Sequence, residues 1–264
     1  MLSRFLLSFV ALSLSTSAWA AHDHSDWNSL LKRNVVVTGG GTSSKVNYAR
    51  FKTDRAKLKT YLDSTSSVSQ ATFNKWSKND QLAFLINAYN AWTVELILTE
   101  YPNLKSIKDL GSIIRSPWKQ KFIPLFGKTV SLDHIEHTLI RGSGRYNEPR
   151  IHFAVNCASI GCPALRNSAY RGNTLSAQLQ TATKDFLRDR SRNRLKDGKL
   201  QVSNIFKWYR GDFEKGWRGA QNLNQFLAIY AGSLDLTKGQ QAALKSGKIK
   251  VSFLSYDWRL NRIR

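Results

Sequence analysis

The sequence predicts an α+β single domain, with helices packed on a small, mostly antiparallel sheet. Three observations predict it. Residues 71–101 carry a long apolar pattern at helical spacing. Short apolar runs near 35–37, 121–130, 151–155, 200–202 and 249–254 read as strands separated by helices. The chain of 264 residues is 42% hydrophobic and has only 16 Gly and 5 Pro, which supports a packed core and excludes collagen-like or disordered chains.

The first twenty residues stand apart. Arg4 precedes an apolar run over 5–14, and Ala18-Trp19-Ala20 has the small-x-small form of a cleavage site. Residues 1–20 therefore read as a secretory signal peptide, with a mature chain beginning at Ala21 and a periplasmic or secreted destination. No later stretch offers enough uninterrupted apolar residues for a membrane span; residues 82–98 are broken by Asn87, Asn90 and Glu95.

Residues 21–70 read as an extension of short helix and strand packed on a main domain, 71–264. Residues 26–33 suit a short helix, 35–37 a strand, and Gly39 to Gly41 a flexible turn. Phe51, Leu58, Tyr61 and Leu62 predict a helix over 49–63, followed by a serine-rich break at 64–69. In the next helix Asn79 is the expected N-cap, Leu82, Leu85, Ile86, Tyr89, Trp92, Leu96 and Ile97 form the apolar stripe, and Pro102 is the stop. A hairpin is expected over 121–130. Ser131 caps a short helix running to about Arg141. Residues 151–155 are an expected strand leading into a turn at 156–163. Helices follow over 174–189, 204–210 and 223–231, with strands over 200–202 and 249–254.

The chemistry-bearing residues cluster. The two cysteines, Cys157 and Cys162, are five residues apart, and His134, His137 and His152 lie within 25 residues of Cys157. In an oxidising compartment the pair suits a local disulfide. Equally, Cys157 suits a nucleophile activated by a neighbouring imidazole. On a regular strand His152 and Cys157 would face opposite sides and meet only if the chain turns before Cys157. His137 comes from another element and has no such constraint. Glu136 and His137 are adjacent on a helix and diverge by about 100°. The Cys and His spacings match no standard zinc site, so neither metal nor cofactor is expected. Ala21-His22-Asp23-His24 suits weak copper binding or, equally, is only a polar leader. G-x-S-x-G, P-loop and dinucleotide motifs are absent from the sequence.

Five stretches together resemble a known family: residues 84–91 (FLINAYNA), 131–141 (SLDHIEHTLIR), 149–159 with Cys162-Pro163 (PRIHFAVNCAS…CP), 206–213 (FKWYRGDF) and 256–261 (YDWRLN). In this order they resemble the domain of unknown function 547, itself similar to a distant, permuted relative of papain-like peptidases and transglutaminases. Gly211 departs from the acidic residue usual there. The resemblance implies an α+β fold with a Cys–His pair and a carboxylate. Cys157 falls on the family's cysteine, Glu136-His137 on its Glu-His pair, and His152 on its strand histidine. A cysteine peptidase, amidase or acyl transferase would use Cys157 as thiolate, His137 or His152 as base, Glu136 to hold the imidazole, and Asn156 or a backbone N–H to bind the oxyanion. Its peptide, amide or acyl substrate is undefined.

Charge supports a second reading. Lys and Arg number 40 against 18 acids, and the excess is spread widely: residues 141–220 hold sixteen basic side chains and six acidic ones. The densest run is Arg188, Arg190, Arg192, Arg194, Lys196 and Lys199. Such a surface suits weak, salt-sensitive binding to a polyanion or an anionic envelope surface, by a non-catalytic module with a Cys157–Cys162 disulfide. No nucleic-acid motif is present to make such recognition specific.

Overall fold

The computed structural model describes residues 21–112 and 114–263; the expected signal peptide lies outside them. Helix α1 (Ser25–Asn34) leads into a hairpin of β1 (Val35–Thr38) and β2 (Ser43–Val46). The helix expected over 49–63 is two, α2 (Tyr48–Thr53) and α3 (Arg55–Ser66), broken at Asp54. The serine-rich break is shorter than expected, because Thr65 and Ser66 hydroxyls bond back to the Leu62 carbonyl and keep the turn helical. Helix α4 (Gln70–Lys75) then precedes the central helix α5 (Lys78–Leu98).

The N-cap of α5 is Ser77, not Asn79: its hydroxyl accepts from the Asp80 N–H. Every residue from Gln81 to Leu98 is buried, so the expected stripe is a helix enclosed on all sides. Its polar residues act as internal braces. Gln81 donates to the Phe73 and Trp76 carbonyls, and Glu95 takes a bidentate contact from Arg55. Asn87 clasps both backbone groups of Tyr170.

The hairpin of β3 (Ile123–Leu125) and β4 (Lys128–Val130) turns through Phe126-Gly127, both at positive φ. Residues His134–Arg141 form a π-helical segment, with the Ser131 hydroxyl accepting from the His134 N–H. The strand expected at 151–155 is instead a 3₁₀ turn, Pro149–Phe153. A short apolar run reads the same whether it is a strand or a fully buried turn. Pro149 and the Glu148 carboxylate, which accepts from the Arg150 N–H, start the turn.

Helix α6 (Leu175–Arg188) precedes a sheet of β5 (Arg194–Lys196), β6 (Lys199–Ser203) and β7 (Lys250–Leu254). β5 pairs antiparallel to β6 across an Asp197-Gly198 turn, and β7 adds to β6 in parallel. Helices α7 (Ile205–Trp208), α8 (Arg210–Phe213), α9 (Leu223–Ile229) and α10 (Lys238–Lys245) lie between β6 and β7. The architecture is α+β, as expected. Among the described residues no helix is long and apolar enough to cross a membrane.

Buried side chains form two clusters. One runs from Trp27 through α5 to Leu260; the other joins Phe153, Phe186, Phe206, Phe213 and Phe226. Ile151 and Val155 belong to the first and Phe153 to the second, so the 149–157 segment threads the seam between them.

Candidate active site

A cavity of about 210 Å³ opens at that seam, and Cys157, Cys162, His152, His137 and Glu136 all line it. The residues singled out from sequence thus converge, except Asn156. Its amide nitrogen donates to the Pro163 carbonyl at 2.7 Å and its oxygen accepts from the Ala158 N–H at 2.9 Å. Asn156 therefore braces the cysteine loop. Asn90 of α5 holds the same loop, donating to the Ala154 carbonyl and accepting from the Asn156 N–H. Ala158 sits at φ +61°, a strained conformation for a residue with a Cβ.

Cys157 and Cys162 form a disulfide, with Cα atoms 6.2 Å apart. The Tyr256 hydroxyl lies 3.1 Å from each sulfur, and the Ser159 hydroxyl 3.2 Å from that of Cys157. Tyr256 also presses on Gly161, where an added Cβ would come within 2.9 Å of the ring. Arg192 closes the loop from outside: it donates to the Cys162 and Thr42 carbonyls and pairs with Asp189.

Because residues 149–153 form a 3₁₀ turn, His152 escapes the alternation that would separate it from Cys157. Its ring is buried and stacks on Tyr209 at 3.9 Å. Nε2 lies 2.8 Å from Asp212 Oδ2, while Nδ1 is buried without a hydrogen-bond partner among the described residues. Asp212 also receives Arg141 at 2.5 Å and Lys215 at 2.9 Å. Burial alone would raise the Asp212 carboxyl; hydrogen bonds from His152, Arg141 and Lys215 hold it far below the carboxylate range. Burial lowers the His152 pKa, against the pull of Asp212 and Glu136. An ionised Asp212 fixes the proton on Nε2 and leaves the Nδ1 lone pair open.

His137 is placed differently. It is 37% exposed, its Nδ1 contacts Arg141, and its Nε2 is 3.7 Å from Asp133. Glu136 is buried, and Tyr89 and Tyr209 interact with its carboxylate; burial first, then this carboxylate, raises both phenols.

Asp212 was not singled out from sequence. It lies sixty residues beyond His152, and only its place in the 206–213 stretch pointed to it.

Fold and site define an α+β domain in which Cys157 and His152 line an aromatic-walled cavity and Asp212 holds His152 from behind it. Residues 73–187 match the family described as "Protein of unknown function, DUF547". The matched segment contains both cysteines, Glu136, His137 and His152, but not Asp212. No curated protein and no solved structure matches the chain.

Proposed function

We propose that the protein is an exported cysteine-dependent hydrolase or acyl transferase acting on a peptide, amide or other acyl group. One observation carries the reading: His152 is held by Asp212 through Nε2, with Nδ1 unpartnered, in the cavity that Cys157 lines. Cys157 is the nucleophile, His152 the base, and Asp212 the positioning residue. His152 is favoured over His137 because both nitrogens of His137 already face charged neighbours.

The bridged form is the resting state. A dithiol reductant opens it, supplying two electrons and two protons and becoming a disulfide itself. Cys157 then gives its proton to His152 Nδ1, and the thiolate adds to the acyl carbon. Backbone N–H groups of the cysteine loop and the Tyr256 hydroxyl are the available donors for the oxyanion. His152 returns the proton to the leaving amine or alcohol, and a thioester forms on Cys157. Water or an amine then attacks the thioester, giving up its proton through His152 and restoring the thiol.

A second reading is favoured by the closed Cys157–Cys162 bridge: a non-catalytic, basic envelope module. It is weakened by the use of Arg190 and Arg192, from the densest basic run, as internal donors to backbone carbonyls.

The test is iodoacetamide labelling of the phosphine-reduced protein across pH, read by mass spectrometry. Cys157 labelling well below the ordinary thiol value of about 8.5, slowed in His152→Ala, is expected. Labelling that tracks an ordinary thiol and ignores His152→Ala moves the second reading to first place.

A further inference from the structure

The protein carries a formal charge of +22, yet among the described residues neither Lys nor Arg lines the cavity beside Cys157. Its titratable lining is Asp133, Glu136 and the two histidines, together with the cysteines and tyrosines. Glu136 is only 4% exposed, and its Oε1 is buried with no hydrogen-bond partner among the described residues. Among the described residues it forms no ion pair: neighbouring Arg141 is engaged by Asp212 and His137. Tyr89 and Tyr209 interact with this carboxylate, but Oε1 itself is left desolvated, which is costly unless a donor meets it.

Much of the remaining lining is aromatic. Trp258 packs against Trp118 at 5.7 Å, Trp208 at 5.6 Å and Tyr256 at 4.5 Å, and Trp208 is 46% exposed. These ring faces attract cations. The wall already holds one: Lys108 Nζ lies 4.0 Å above the Trp258 ring. At about 210 Å³ the cavity is smaller than the several hundred Å³ of a typical drug-sized site, so it suits a side chain or a small molecule.

We propose that this cavity binds an organic primary ammonium group, as on a lysine side chain or an alkylamine, with Glu136 Oε1 as its acceptor and the Trp208–Trp258 wall around its alkyl stem. The proposal rests on reading the cavity as the substrate site, and it narrows the substrate or acyl acceptor to an amine-bearing one. It also gives a reason for an acidic pocket in a basic protein: an anionic competitor is rejected there, whatever the outer surface attracts.

The test uses the disulfide-bonded protein, in which Cys157 cannot react, so amine binding and cysteine reactivity fail independently. n-Butylammonium is titrated against tryptophan fluorescence, with 1-butanol and butyrate as controls. A saturable change with butylammonium alone is expected, weakened at least about tenfold in Glu136→Gln, as loss of a charged acceptor implies. Trp208→Ala, at an exposed position, should weaken it severalfold with an unchanged circular dichroism spectrum; this variant and the two controls decide the matter if Glu136→Gln does not fold. No saturable butylammonium response, equal responses to butanol or butyrate, or unchanged affinity in either folded variant would overturn the proposal.

Discussion

His152 and Asp212, sixty residues apart, meet through a 2.8 Å contact between Nε2 and Oδ2 beneath the ring of Tyr209. The contact joins the 3₁₀ turn before the cysteine loop to helix α8, across the seam between the two buried clusters. It fixes one imidazole nitrogen and leaves the other open.

Asp212→Asn keeps the shape but removes the charge that sets the tautomer. With Cys157 reduced, its alkylation rate near neutral pH should fall at least about tenfold, the effect of one pKa unit on the thiolate. Arg141 and Lys215 lose their common charged partner as well, so the urea midpoint should also drop. An unchanged alkylation rate would separate Asp212 from the chemistry.

Asn90 serves the site without lining it. Asn90→Ala leaves the Ala154 carbonyl and the Asn156 N–H without partners in the interior. A loss of about 2–4 kcal/mol in urea unfolding is expected, about 1–3 kcal/mol for each buried group left unpaired. Asn90→Asp, which sets an unpaired carboxyl against the buried Ala154 carbonyl, should cost at least as much.

Acid should weaken the fold before it touches Asp212. Burial, then the neighbouring His22, lowers His24 from 6.5 to about 3, and its Nδ1 pairs with the Tyr61 hydroxyl at 2.7 Å. Between those two values the unfolded chain binds a proton that the folded chain refuses. Stability therefore falls as pH drops below 6.5, by up to about 1.4 kcal/mol per pH unit for this group. His152, also lowered by burial, acts in the same direction. Urea midpoints measured between neutral pH and pH about 4 should decline, and His24→Gln should flatten the decline. A profile identical in that variant would remove His24 from the account.

Phe206 is fully buried and touches Phe153, Phe213 and Phe226. Phe206→Ala should cost about 3–5 kcal/mol. Because Phe153 and Phe213 adjoin His152 and Asp212 in the chain, thermal unfolding and Cys157 labelling should deteriorate together. Loss of stability with unchanged labelling would show that the second cluster does not position the site.

Local patterns were legible where local chemistry decides. The 3.6-residue period located α5 and α6, Ser131 announced its helical turn, and the Phe126-Gly127 hairpin followed from its flanking apolar residues. Strand β5 was missed although Asp197-Gly198 signalled its hairpin, because Arg194-Leu-Lys196 carries a single apolar residue. The 151–155 segment was misread because an apolar run has no period of its own.

By itself the sequence determined the α+β class, the central helix and the clustering of Cys157, Glu136, His137 and His152 within one short stretch. Residue type and spacing set these at short range. Only the tertiary structure decided which nitrogen of His152 is held, that Asp212 holds it, that Asn156 faces its own loop, and that Glu136 is buried beside Tyr89 and Tyr209. Apart from Asn156, whose partners lie in its own loop, each depends on contacts between segments far apart in the chain, and no local pattern encodes which distant side chain arrives there.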